Sequence, residues 1–283
     1  MRFKTFAIGT RYWRPGDDYE AAIVKAVRRI ARDKDVVVIS EKAISIAIGN
    51  IIDESRFSPG LMAHVITRIW IRTLWGLLLG RVCHLSLGLT RRLRTFPVRE
   101  GSRHKEAALR VAGFLHALKP TSENGIDVTN LPYAFVSLPL SNPAEIAERI
   151  RTRIRDDLRM DVVVLISDTD KTYSWRGFHF SPRSQALKGI RTGGGFLTYV
   201  VGRAFKLRPR STPLALVGSN ASVETALLLA ELAHRARGYG AGRTAWDMAE
   251  RFGTKIDSVS WEMLDGISHY PIVVVRRIDH IRL

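Results

Sequence analysis

Residues 160–177 read MDVVVLISDTDKTYSWRG, and the interpretation of the chain starts from this stretch. The run at 162–166 is apolar and rich in β-branched residues, which predicts a strand buried on both faces. Asp168, Thr169 and Asp170 follow it, at the end from which such strands often present polar side chains to a ligand. Carboxylates together with a hydroxyl are oxygen ligands suited to Mg²⁺ or Mn²⁺. The alternative is a solvated turn, because Asp and Thr are also common turn residues.

The size and composition of the chain predict a globular protein. With 283 residues and a 46% share of hydrophobic residues, it is long enough to bury a substantial core. No repeat or low-complexity linker divides it, so we expect a single unit over residues 1–283, with two lobes as the alternative. The lone cysteine, Cys83, excludes an intrachain disulfide and a cysteine-based zinc cluster. It fits a reducing cytoplasm, which is the location we expect.

Charge and hydropathy narrow the classes of partner. The net charge of +17 favours anionic partners, which include nucleic acid, anionic lipid and phosphorylated small molecules. The most apolar window, Leu61–Leu89, contains Arg68, Arg72 and Arg81, so it lacks the roughly 20 consecutive apolar residues that a membrane span needs. We therefore expect no membrane span. The window predicts a helix used in core packing or in a subunit interface, with docking on a membrane surface as the alternative.

The pattern of the remaining chain predicts a mixed α/β architecture of the α+β class. Apolar spacing predicts strands at 2–8, 36–40 and 272–275, and helices at 19–32, 220–237 and from Pro143 onward. Apolar residues keep a period of two within 41–50, residues 91–105 read as a basic connection, and 107–118 fit either a helix or a strand. The segment 57–120 as a whole is expected to be largely helical.

The stretch 121–132, TSENGIDVTNLP, is dense in turn-forming residues. Its polar side chains at Asp127, Thr129 and Asn130 lie between apolar segments, where binding residues are often found. This loop is therefore a second candidate for part of a site.

Taken together, these motifs resemble the family of γ-glutamyl ligases that add glutamate to the deazaflavin coenzyme F-420. That family has a loop reading Asn-Ala-Gly-Ile-Asp-x-Ser-Asn, which NGIDVTNLP at 124–132 resembles. The sequence at 168–177 looks like the family's Asp-Ser/Thr-x-Gly-Arg-x-x-Arg-x-Gly segment. A Pro-Gly-Asp-Asp start at 15–18 and the closing PIVVVRR at 271–277 are also similar, and all four occur in the family's order.

The resemblance implies a fold and a reaction. It implies a ligase-like α+β unit that forms an intertwined homodimer. It also implies that GTP and a divalent metal, Mg²⁺ or Mn²⁺, activate a carboxylate as an acyl phosphate, which the amine of L-glutamate attacks to form an amide. The acceptor would be a small anionic or phosphorylated molecule, such as the deazaflavin coenzyme.

The resemblance also carries roles to positions of this chain. They are Asp127, Asp168 and Thr169 for the metal; Thr10, Arg11, Tyr12, Trp13, Glu41, Lys42 and Asn130 for the nucleotide; and Lys171 and Arg176 for catalysis through phosphate contacts. Lys42 as a solvated charge and Trp13 as a core residue are the alternatives.

The chain departs from the family pattern at several positions, which opens other functions. Ile46 and Ile48 stand where the family has charged residues, and Lys171-Thr172 replaces Gly-Arg. We therefore expect the fold to persist with a changed substrate. A relative without catalytic activity that binds nucleic acid through its basic surface is the less favoured alternative. A homo-oligomer subunit with Leu61–Leu89 as its interface is the third.

Overall fold

The computed structural model describes residues 2–278, and within them seven strands form one mixed sheet and two form a small ribbon. The strands are β1 (Arg2–Thr10), β2 (Val36–Ser40), β3 (Ile51–Asp53), β4 (Phe135–Ser137), β5 (Val163–Trp175), β6 (Phe178–Ser181), β7 (Arg191–Thr192), β8 (Arg208–Val217) and β9 (His269–Ile278). The large sheet has the order β1-β9-β2-β5-β6-β7, with β8 also paired to β5, and β3 pairs with β4. The α+β expectation is confirmed.

The helices cover both faces of this sheet and form a separate cluster. They are α1 (Tyr19–Val27), α2 (Glu41–Ala47), α3 (Leu61–Val65), α4 (Gly80–Val82), α5 (Leu87–Arg94), α6 (Val98–Val111), α7 (Phe114–Ala117), α8 (Pro143–Leu158), α9 (Gly195–Ala204), α10 (Val223–Arg237), α11 (Ala245–Arg251) and α12 (Trp261–Asp265). A π-helical segment, Ile66–Leu79, joins α3 to α4. Within residues 2–278, no helix is both long and apolar enough to cross a membrane.

Alternate residues of the central strands point to opposite helical layers. Val37 and Ile39 pack in the core under α1 and α8, whereas Val38 packs in the core under α10. Both sets are fully buried, because helices cover each face of the sheet. This arrangement explains why β2 and the first half of β5 are apolar at every position rather than at every second one.

The strand that begins the predicted site runs further than the sequence indicated. β5 pairs in parallel with β2 only up to Ser40 opposite Ser167, where β2 ends and α2 begins. β5 then continues to Trp175, paired with β8, through an irregularity between Asp168 and Lys171. The prediction that the strand ends before Asp168 is wrong, because β8, which flanks the other edge of β5 from Val164 onward, continues to pair with it after β2 has ended.

Two other stretches differ from the sequence expectations, and a third, 107–118, takes the helical one of its two predicted alternatives. Residues 41–47 form α2 rather than continuing with a period of two, since nearly all side chains of this helix are buried and their spacing carries no facial signal. The basic connection at 91–105 lies in α5 and α6, and 107–118 is helical.

The helices from α3 to α7 build a core of their own. Trp75, Leu93 and Ala108 are fully buried within it. The Trp75 and Trp70 indole nitrogens both donate to the Leu118 carbonyl, at 2.9 and 2.8 Å. Gly76 faces Arg94 so closely that a Cβ would lie 2.7 Å from the Arg94 Cγ, so the absence of a side chain lets α5 pack here.

Candidate active site

A cavity of about 520 Å³ lies beyond the level at which β2 and β5 stop pairing. This is within the size range of sites for small molecules and cofactors. The predicted site residues that line it come from four segments of the chain: Tyr12, Lys42, Asp127, Asn130, Asp168, Thr169 and Lys171. The fold therefore gathers most of the residues to which the resemblance assigns a role.

A buried arginine, Arg183, supports the floor of this cavity. The Arg183 side chain is only 1% exposed. Its guanidinium contacts Asp168 through Nη1 and donates through Nη2 to Glu41 Oε1 at 2.9 Å. Burial alone would raise the pKa of Asp168, but Arg183 and the more distant Lys42 hold it below the usual value. Burial raises the pKa of Glu41 to about 7, although Arg183 opposes the shift. Asp168 is thus the carboxylate that stays ionised at neutral pH.

The second carboxylate of the cavity is Asp127, in the loop at 121–132. Its Oδ2 forms an ion pair with Lys42, and its Oδ1 accepts from both the backbone nitrogen and the hydroxyl of Thr129, each at 2.7 Å. The Lys42 ammonium donates to the Thr129 hydroxyl at 2.6 Å as well. Lys42 therefore lies between the two acidic segments, since its charge also lowers the pKa of Asp168.

The oxygen-bearing side chains around Lys42 suit Mg²⁺ rather than a metal ion that needs a closed cage of protein ligands. In residues 2–278, no three Asp, Glu, His or Cys groups converge into a closed metal cage. Mg²⁺, however, is usually held by one or two carboxylates, with water and substrate phosphates completing the shell. Asp127, Asp168 and Thr169 all line the cavity and offer two carboxylates and a hydroxyl, which fit that arrangement once Lys42 turns to a phosphate oxygen.

Lys171 lines the same cavity on the side of α10. Its ammonium lies 3.2 Å from Glu231 Oε2 and 3.2 Å from the Ser211 hydroxyl. The Ser211 backbone nitrogen also donates to Glu231, at 3.0 Å. Lys171 is thus a cation held at the cavity edge by residues of two neighbouring elements.

The remaining predicted residues do not line the cavity. Arg176 is exposed in the turn between β5 and β6, with its guanidinium 5.3 Å from the Trp175 ring centre. Thr10 and Arg11 lie outside, and Arg11 forms an exposed ion pair with Asp17 at 2.6 Å. Trp13 is a core residue, as its alternative interpretation had it. Glu41 lies behind the wall, on Arg183.

The conformation of the loop motif NGID, at 124–127, is shaped by its packing against Arg183. Gly125 has a φ of +84°, and a Cβ there would overlap the Arg183 guanidinium. Asn124 has a φ of 58°, and its side-chain oxygen accepts from the Ser184 nitrogen at 2.7 Å. The Asn-Gly pair therefore bends the loop around residues 183–184 and places Asp127 over the cavity.

Asn130 and Tyr12 fix the opposite rim. The Tyr12 hydroxyl donates to the Asn130 carbonyl, and the Asn130 side-chain oxygen accepts from the Ala241 nitrogen at 2.6 Å. Burial, followed by the charge of Asp127, raises the pKa of Tyr12, so it remains a neutral donor. Here Asn130 orders the segment after α10.

Several cavity residues carried no signal in the sequence. Arg183 follows β6 in a Ser-Pro-Arg-Ser stretch whose spacing matches no motif, yet it neutralises the carboxylate floor. His234 and Arg237 on α10 and His269 on β9 also line the cavity. In the sequence, the apolar periodicity around these residues predicts a helix and a strand, but it does not indicate that they face a cavity. A buried cation is visible only once the tertiary structure brings its partners together.

Comparison with known proteins identifies the family of the chain. The model of the family described as F420-0:gamma-glutamyl ligase matches residues 7–196, which include Lys42, Asp127, Asp168 and Arg183. The uncharacterized protein MJ1361 of Methanocaldococcus jannaschii is 32% identical over 285 aligned residues, covering 96% of each chain. The chain therefore belongs to the F420-0:gamma-glutamyl ligase family.

Proposed function

We propose that this member of the family joins L-glutamate to a small anionic acceptor through an amide bond, with GTP as the source of energy. The observation that carries the proposal is that Lys42, Asp127 and Asp168 line the same cavity of ligand size, with Lys42 paired to Asp127. The family description, F420-0:gamma-glutamyl ligase, supports a deazaflavin coenzyme of the F420 type as the acceptor. The departures at Ile46 and Ile48 leave room for a related acceptor.

The proposed reaction has two balanced steps. A carboxylate oxygen of the acceptor attacks the γ-phosphorus of GTP, so that an acyl phosphate forms and GDP leaves. The amine of glutamate then attacks the acyl carbon, the carbon–oxygen bond to phosphate breaks, and the amine loses a proton. The products are the amide, GDP and inorganic phosphate.

The cavity residues supply charge and position for these steps. Lys42 and Lys171 are two cavity cations that can turn to phosphate oxygens, each at present held by a carboxylate. Asp127, Asp168 and the Thr169 hydroxyl are the residues that would hold a divalent cation. When bound, that cation neutralises triphosphate charge and polarises the transferred phosphoryl group. Arg183 keeps Asp168 ionised for this purpose.

The test is glutamate transfer by the full-length protein. The deazaflavin acceptor, L-glutamate, GTP and Mn²⁺ are incubated with the protein, and mass spectrometry follows the glutamylated product. We expect Asp168→Asn and Asp127→Asn each to lower turnover at least ~100-fold, the range seen when an electrostatic contribution to catalysis is removed.

The matched control is Asp156→Asn, at an exposed ion pair on α8, which should leave turnover unchanged. Circular dichroism and the melting temperature report whether each variant is folded. Absence of GTP-dependent product from the wild-type protein would overturn the proposal. Turnover that survives both cavity substitutions would overturn the assignment of the site.

A further inference from the structure

Arg237, the last residue of α10, lines the cavity but has no counter-ion among residues 2–278. Its Nε and Nη2 atoms are buried and have no hydrogen-bond partner among the residues that the structure describes. Two other arginines with buried guanidinium atoms, Arg183 beneath the cavity and Arg210 near the opposite end of α10, are engaged. Arg183 contacts Asp168 and Glu41, and Arg210 binds both oxygens of Glu224, at 2.6 and 2.8 Å. Arg237 is the exception.

The surroundings do not neutralise this guanidinium. Asp168 exerts an attraction on it, but Asp168 itself contacts Arg183. Lys42 and Lys171 on the same cavity wall are already paired with Asp127 and Glu231. Burying an unpaired cation is costly, because water is removed and no acceptor replaces it. Such a residue is stable only when something else supplies the acceptor.

The position of Arg237 in the cavity is well defined. Gly238 ends α10 with a φ of 72°, and the segment that follows is held by Asn130 through the Ala241 nitrogen. Arg251 donates to the Gly240 carbonyl at 2.7 Å. One turn before Arg237, His234 also has a buried ring nitrogen, Nδ1, without a partner in the described chain. Two unsatisfied polar side chains therefore lie on one face of α10.

We propose that Arg237 anchors an oxyanion subsite, which holds a phosphate or carboxylate group of a small ligand in the cavity, with His234 beside it. A guanidinium suits both groups, since its N–H donors match a pair of oxygens. The subsite lies outside the residues 7–196 that the family model matches. Its assignment to the acceptor rests on the proposed ligase function, whereas oxyanion binding itself requires neither nucleotide nor metal.

The first measurement uses inorganic phosphate, with acetate in a parallel titration. Calorimetry and thermal unfolding are performed on the full-length protein without nucleotide or metal. We expect Arg237→Met to weaken phosphate binding at least ten-fold. Arg237→Lys, which retains the charge, should keep part of it. Arg155→Met, at an exposed arginine on α8, removes the same charge elsewhere and should bind as the wild type does.

Stability without a ligand separates binding from a structural role. If Arg237 is reserved for a ligand, Arg237→Met should melt at the same or a higher temperature than the wild type in phosphate-free buffer, since it removes an unpaired buried charge. A lower melting temperature, or unchanged affinity for both phosphate and acetate, would overturn the proposal. An Arg237-dependent effect of acetate alone would support the subsite and identify its group as a carboxylate.

Turnover measurements decide the acceptor assignment independently. If the ligase reaction proceeds, Arg237→Met should raise the KM for the acceptor and leave the KM for GTP unchanged. An unchanged KM for the acceptor would overturn that assignment. If no glutamate transfer occurs but phosphate binding depends on Arg237, the ligase proposal fails and the subsite stands.

Discussion

Gly125 shows how one residue without a side chain fixes the conformation of the loop at 121–132, which carries Asp127. Its φ of +84° and the guanidinium of Arg183 against its Cα both disfavour any larger residue. We expect Gly125→Ala to lower the free energy of unfolding by about 2–3 kcal/mol, from backbone strain and displacement of Arg183 combined. Urea denaturation measures the loss.

The control for this substitution is Gly113→Ala. Gly113 has nearly the same φ, +85°, but a Cβ at this position would have no neighbouring atom within 4 Å, so the substitution carries the strain alone. We expect its loss to be smaller, about 1 kcal/mol. Equal losses at the two glycines would mean that Arg183 moves aside freely and that the loop does not depend on this contact.

The sequence predicted the carboxylates of the site but not the buried arginines that accompany them. Asp127, Asp168 and Lys42 follow turn or strand signals, and they line the cavity as expected. Arg183 and Arg237 could not be identified, because a buried arginine is distinguished from an exposed one only by the groups that surround it. Arg176 illustrates the converse, since it matches a motif position but lies in an exposed turn.

At the scale of elements, α6 is joined to the carboxylate loop by a buried cluster of ions. His104 on α6 contacts Glu54 through Nδ1 and lies 3.1 Å from Glu123 through Nε2. Lys105 also contacts Glu123 and donates to the Lys119 carbonyl at 2.6 Å. Burial opposes protonation of His104, but the two carboxylates outweigh it and raise its pKa to about 10. The helical cluster is thus held to the loop at 121–132 by charge as well as by packing.

This raised pKa predicts a pH-dependent stability. The stabilisation from protonated His104 is complete below its unfolded pKa of about 6.5 and is lost as pH rises through about 10. We expect the wild type to lose on the order of 2 kcal/mol from this group between those limits, and His104→Gln to lack that loss. Urea denaturation across the range measures both. A parallel decline in His104→Gln would contradict the prediction, and exposed His84→Gln serves as the control.

Helices with an amphipathic pattern or a recognisable capping residue could be predicted from the sequence, whereas elements surrounded by other elements could not. The Asp18 side chain caps α1 at the Ala21 nitrogen, Pro143 begins α8, and Gly238 ends α10, as expected from sequence. α2 was missed because it is surrounded by other elements and has no polar face. The length of β5 was missed because its second half depends on β8, which is about 40 residues further along the chain.

At the scale of the whole molecule, the positive charge is not concentrated at one site. Many arginines form ion pairs with neighbouring acids, among them Arg151 with Asp161, at 2.6 Å, and Arg276 with Asp35, at 2.7 Å. The net charge of +17 therefore acts as a diffuse field that attracts anionic ligands of any size. The cavity, rather than this field, defines what is bound.

We expect the protein to be a homodimer that uses the apolar surface of its helical cluster. Ile69 is 61% exposed, and Leu197, Val201 and Phe205 form an exposed stripe with a spacing of four residues along α9. Light scattering should give twice the chain mass of 31.8 kDa. Ile69→Glu and Val201→Glu should shift the protein toward the monomer with little change in monomer stability, since both side chains are exposed. A monomeric wild type would contradict this expectation.

The pairing of Ser40 with Ser167 has a consequence for how substrate preference can vary in this architecture. Backbone amides and carbonyls, which are common to all sequences, set the height at which α2 leaves the sheet and the Asp168 segment parts from β2. The side chains around the ligand, such as Ile46, are therefore exchangeable without disturbing that height. To redesign the protein for a new acceptor, the paired residues of β2 and β5 should therefore be kept, and the side chains that line the cavity should be varied.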